Sequence, residues 1–178
     1  IQHDLNEPIP TELKSSFDTV IDSGTTEHVF NLPQAMKNSM DLLKVGGHLI
    51  SILPANNYCG HGFYQVSPEL LFRTFCKENN FEVKIMIFCI HKNMEEWYEL
   101  IDPEITGTRV EPQSHHPGSL LMMAKKVSDN DVYRTTPQQS DYANEWENLS
   151  SKGETLDRLH FWRGSKEPTS PTSVQKTI

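Results

Sequence analysis

The side chains best suited to move a proton in this chain are the Glu27-His28 pair and a histidine set between two glycines, Gly60-His61-Gly62. A free imidazole titrates near ~6.5, so a histidine beside a bound hydroxyl or amine can take its proton at neutral pH. His61 is therefore the candidate catalytic base; the alternative is a Gly-rich turn whose aromatics cap the core. Asn56, Asn57 and Tyr58 precede it, and Tyr64 and Gln65 follow, offering amides and hydroxyls that can orient a polar acceptor. His28 alone is more often a satisfied core histidine than a ligand. Asp22-Ser23-Gly24 ends an apolar run, either as a plain turn or as a loop whose glycine lets the backbone approach a ligand. His115-His116, with Glu95 and Glu96 in the same stretch, is a poor metal site, because neighbours on an extended loop point to opposite sides. No metal is expected.

These residues need elements to hold them. Residues 1–16, with Pro8 and Pro10, read as a loop. Phe17 to Ile21 is rich in β-branched side chains and reads as a strand closed by Asp22-Ser23-Gly24. A helix is expected to start at Asn31, with Pro33 in its first turn. Leu32, Ala35, Met36, Ser39, Met40 and Leu43 share one face, and Gly46-Gly47 ends the helix. His48 to Leu53 is a short apolar run, expected as a strand buried on both faces. Ser67-Pro68-Glu69 starts a second helix, Phe81 to Ile90 is a long strand, and Ser119 to Val127 is a closing strand. Met94 to Ile101 reads as one short helix, inside a long connection that can cover a site.

In this order the pieces resemble class I S-adenosylmethionine-dependent methyltransferases, over roughly residues 1 to 127. Asp4-Leu5 is similar to the acidic turn after the family's third strand, and Phe17 to Asp22 to its fourth strand. Glu27-His28-Val29 resembles the step after that strand. Leu42-Leu43-Lys44-Val45-Gly46-Gly47 resembles the approach to the fifth, with Val45 where proline is usual. The resemblance implies an α/β fold: a partial Rossmann-like sheet of family strands 4 to 7, the last antiparallel, with flanking helices and a flexible C-terminal tail. Ligands of such sheets sit where the strands end. It implies S-adenosylmethionine as cofactor, with Asp4 accepting from the adenine amine, Leu5 covering the ring, and Asp22, Ser23 and Gly24 near the methionine part. Asp4 is otherwise a solvated loop acid. Glu27 and His28 would floor the substrate site, and Asn56, Asn57, Tyr64 and Gln65 would line it.

The acceptor implied is small and polar, a sugar or other hydroxylated metabolite. The family's Gly-rich turn after its first strand, and the acid after its second, have no counterpart before Phe17. The expectation is a partial chain that alone binds the cofactor poorly and is inactive. The alternative is a non-catalytic methyltransferase-like binding or structural module; a nicotinamide-dependent enzyme accounts less well for Glu27-His28 and Leu42 to Gly47.

Composition narrows the classes further. The chain has 178 residues, a net charge of −8 and a mean hydropathy of −0.54, with 36% apolar residues. Acids outnumber bases by 16 to 10 in residues 1–128 and by 8 to 6 in residues 129–178, so neither part carries a basic stripe. Such a surface repels phosphate backbones, and nucleic acid is not expected as a partner. Cys59, Cys76 and Cys89 lack metal or disulfide spacing and read as buried reduced thiols of a cytoplasmic protein. No segment reaches the ~20 apolar residues of a membrane span. Residues 129–178, rich in Ser, Thr, Gln and Pro, are expected to be a polar, largely flexible tail, in which Leu149, Leu156, Leu159, Phe161 and Trp162 can dock as one short piece.

Overall fold

The computed structural model describes residues 1–92, 96–134, 136–143 and 146, with the backbone alone at 96 and 174–176. Nine elements form one mixed sheet with helices: β1 (Phe17–Ser23), α1 (Leu32–Leu42), β2 (Leu43–Asn56), α2 (Pro68–Thr74), β3 (Phe81–Ile90), β4 (Glu96–Leu100), α3 (Pro103–Thr106), β5 (Gly118–Lys126) and β6 (Val174–Lys176). The strand order is β1-β2-β5-β3-β4-β6. β1 and β2 run parallel, with Asp22 opposite Ser51, while β5 runs antiparallel to both β2 and β3. β2 and β3 therefore point the same way, and β5 is the reversed strand between them. The expected four-strand core is present, extended by β4 and β6 beyond β3.

Helix placement follows from this order. The crossovers β1-α1-β2 and β2-α2-β3 step across the sheet in one direction. Right-handed connections of that kind lay both helices on the same face. Leu49 and Leu53 of β2, Leu120, Met122 and Ala124 of β5, and Met86 and Phe88 of β3 form that face, and they are buried with Leu32, Met36 and Met40 of α1 and Leu71 and Phe72 of α2. The other face carries Ile21, Ile50, Ile52, Leu121, Met123, Ile85 and Ile87, and among the described residues nothing covers it: Ile21 is 67% exposed. β2 is thus not buried on both faces as expected.

Two boundaries also differ. α1 ends at Leu42, before Gly46-Gly47, because Leu43 is already opposite Phe17. The next partners are Thr19 and His48, so the glycines form a bulge in β2, with Gly46 at φ +88°, and do not cap the helix. The helix expected over Met94 to Ile101 is instead β4, a hairpin partner of β3 that sets Tyr98 opposite Phe88. Residues 93–95, including Glu95, lie outside the described residues. Pairing to an exposed sheet edge outweighs weak helical spacing in a segment this short.

α2 begins as its sequence dictates, with the Ser67 hydroxyl accepting from the Leu70 N–H. Past β5, Val132 is buried and Tyr133 packs on the core, its N–H donating to the Asn79 amide oxygen. Leu149, Leu156, Leu159, Phe161 and Trp162 lie outside the described residues. The cysteines are free; Cys89 is buried, but Cys59 is exposed.

Candidate active site

β1 and β2 deliver their carboxyl ends side by side, and the Gly24 N–H donates to the Ile52 carbonyl to fasten them. The buried Asp22 carboxylate organises what comes next. Its oxygens accept from the Thr25 and Thr26 N–H groups and, at 2.6 Å, from the Thr26 hydroxyl. These bonds fold Thr26–His28 into a single 3-10 turn. The turn drives Glu27 inward and leaves His28 outside.

Glu27 is the centre of the site. Its side chain is 1% exposed, and among the described residues neither carboxylate oxygen has a hydrogen-bond partner. Oε1 lies 3.4 Å from Nε2 of His61 and 3.6 Å from Nε2 of His28, both imidazoles being half exposed. The two rings meet edge to face, with centroids 4.9 Å apart. Behind them, the loop from β2 closes on the Glu27 backbone: the Phe63 and Tyr64 N–H groups donate to its carbonyl at 2.8 and 3.3 Å. Gly62, at φ +69°, permits that approach, since a Cβ there would lie 2.8 Å from the Glu27 carbonyl oxygen. Gly24, at φ +76°, faces Glu27 Oε1 from the other side. A buried carboxylate without hydrogen bonds is costly unless a positive charge accompanies it. Two imidazoles are the groups within reach.

The remaining expected residues have other partners. Asn56 and Asn57 donate side-chain N–H groups to the carbonyls of Ser114 and His116, tying the 114–116 loop to the end of β2. Gln65 accepts from the Tyr58 N–H, and the Tyr64 hydroxyl donates to the Phe30 carbonyl. Ser23 is exposed at the strand end. Asp4 is exposed, and the Asn6 backbone and side-chain N–H groups both donate to its Oδ1, which holds its carboxyl below the usual carboxylate range. Oδ2 keeps no partner among the described residues. The Leu5 carbonyl accepts from Asn38 of α1, and Asn6 bonds Asn31, so this loop sits beside the start of α1, just past His28. His115 and His116 do not belong to the ligand group of Glu27, His28 and His61.

One part of the site was not anticipated. The Tyr58 hydroxyl lies 3.2 Å from His91 Nδ1, and His91 Nε2 lies 3.0 Å from the Ser119 hydroxyl. Tyr58 also packs against His61, with centroids 5.6 Å apart. His91 directly follows β3 and Ser119 is the second residue of β5; only the antiparallel register that sets Ile90 opposite Gly118 makes them neighbours.

No protein-family model matches the chain, and no curated protein matches it. Solved structures similar to it include a SAM-dependent methyltransferase from Thermotoga maritima, at 16% identity and a TM-score of 0.42, over 64% of this chain and 57% of that one. The trans-methyltransferase CalH, solved with SAH, is 17% identical with a TM-score of 0.43, over 70% of this chain and 35% of CalH. A protein whose structure concerns conversion of a disulfide bond into a thioacetal group during echinomycin biosynthesis is 9% identical with a TM-score of 0.39, over 82% of this chain and 59% of that one. The chain spans less than two thirds of each of these proteins. Among its described residues no helix is long and apolar enough to cross a membrane.

Proposed function

We propose that this chain is part of an S-adenosylmethionine-dependent methyltransferase that acts on a small polar acceptor, such as a sugar or other hydroxylated metabolite. The observation that carries the reading is the Glu27-His61 pair, with its half-exposed imidazole, standing over the carboxyl ends of the parallel strands β1 and β2. Ligands of open α/β sheets bind there. The Asp4 carboxylate fits the adenine end of the cofactor, since Oδ2 is left to accept from an exocyclic amine. Asp22 does not fit a direct contact, because Thr25 and Thr26 occupy its oxygens; its part is to shape the turn that bears Glu27.

When bound, the cofactor supplies a methyl group on a sulfonium. His61 takes the proton that the acceptor's hydroxyl or amine releases as the new bond forms, and Glu27 offsets the imidazolium charge. Tyr58, held by His91, orients the acceptor from the side. Saturation-transfer NMR with S-adenosylhomocysteine, a method that reads weak as well as tight binding, tests donor recognition by this chain. Signal on the adenine protons that falls in Asp4→Ala supports the reading; no signal at all, or signal indifferent to Asp4→Ala, opposes it.

A non-catalytic module on the same sheet is favoured by one feature: Asp22, Asn56, Asn57, Tyr64 and Gln65 all turn polar atoms to partners within the chain. That reading gains if the homocysteine nucleoside gives no signal.

A further inference from the structure

We propose that Glu27, His28 and His61 form a binding site for a divalent transition-metal ion of the zinc class. The inference goes beyond methyl transfer and does not rest on it. One ligand atom from each of the three residues lies within 4.8 Å of the others. In a tetrahedral site with bonds of 2.0–2.1 Å, ligand atoms stand about 3.4 Å apart. Glu27 Oε1 is 3.4 Å from His61 Nε2 and 3.6 Å from His28 Nε2, so two edges of that tetrahedron are already near their final length. Small rotations of two half-exposed rings close the third.

Burial points to a ligand independently of spacing. Glu27 is fully buried, its carboxylate has no hydrogen-bond donor among the described residues, and its Oε1 lies within 3.6 Å of both imidazoles. A cation seated there satisfies the orphaned oxygens. The cradle is rigid at its base, since the Asp22 bonds fix the 3-10 turn and two N–H groups grip the Glu27 carbonyl. Exposure of both rings leaves the fourth coordination position open to water or a small ligand, the pattern of three protein ligands plus one exchangeable position. Two nitrogens and one oxygen suit zinc, cobalt or nickel; magnesium and calcium prefer all-oxygen shells. An ion bound through His61 Nε2 removes that ring's capacity to take a proton, so metal occupancy and base action at His61 exclude each other.

Cobalt(II) titration of the chelator-treated chain, with no methyl donor present, reads the site directly through its visible d–d absorption. Tetrahedral bands that saturate at one ion per chain and vanish on adding zinc support the site. His61→Ala and Glu27→Gln should each weaken binding about a hundredfold or more, beyond the range seen when only an outer partner is lost. Glu27→Gln alters a buried group, so the exposed His61→Ala carries the decision: zinc should raise the melting temperature of the parent chain and leave that of His61→Ala unmoved. His116→Ala should bind like the parent. Absence of tetrahedral bands, or binding lost in His116→Ala and kept in His61→Ala, overturns the proposal.

Discussion

At the scale of single residues the site depends on one buried acid. Its position explains why glycine is needed at 62, where φ is +69° and a Cβ would lie 2.8 Å from the Glu27 carbonyl oxygen. Gly62→Ala should destabilise the fold by about 2 kcal/mol or more through left-handed strain and that contact; chemical denaturation checks it. Gly60, around whose Cβ position there is open space, should tolerate alanine with little change. Sequence alone identified Glu27, His28 and His61 as chemically interesting, since the types announce themselves. It did not join Glu27 to His61, because their contact comes from a loop that returns from β2, and no local pattern encodes it. The amides of Asn56 and Asn57 had ligand-like chemistry in the sequence, yet they hold the 114–116 loop. A polar side chain's partner is decided by which backbone carbonyl arrives nearby.

At the scale of elements, legibility followed the strength of local signals. Phe81–Ile90 and the start of α2 stand where the residues placed them, because a run dominated by β-branched and aromatic side chains and a Ser-Pro-Glu start each leave few alternatives. Ser67→Ala should cost about 1 kcal/mol, the usual value of an N-cap, measured as a shift in the denaturant midpoint. The local sequence of β4 does not announce a strand because its pairing with β3 is tertiary, and Gly46-Gly47 reads equally as a helix stop or a strand bulge because both use the same residue. The end of β5 is held by charge: buried Lys126 donates to the Leu43 carbonyl and pairs with Asp129 at 2.6 Å. That ammonium holds the Asp129 carboxyl below the usual range. A depressed folded-state value means stability that is present above the unfolded pKa, about 3.9, and lost as pH falls through the folded one. Asp129→Asn should therefore cost about 1 kcal/mol at neutral pH, since Asp129 is half exposed, and should flatten the acid limb of stability measured by urea unfolding below about pH 4.

At the scale of the whole molecule, same-direction crossovers put both helices on one face and leave the opposite face apolar and open among the described residues. This separates the two kinds of aliphatic residue in the sheet. Leu49→Ala, at a site 2% exposed, should cost about 3 kcal/mol. Ile21→Lys, on the open face, should shift the thermal midpoint little; a loss comparable to Leu49→Ala would mean that face is covered. The alternating burial was hidden in the sequence because both faces are equally apolar, and only the direction of the crossovers decides which is core. The same topology brings the carboxyl ends of β1 and β2 together beneath Glu27, His28 and His61, and the functional reading depends on that convergence. Amide chemical-shift mapping with S-adenosylhomocysteine tests it most directly. Perturbations should gather on residues 4–6, 22–28 and 56–65. Perturbations confined to the opposite strand ends, near Leu43–Gly46 and Phe81–Glu82, or none at millimolar ligand, would contradict the account.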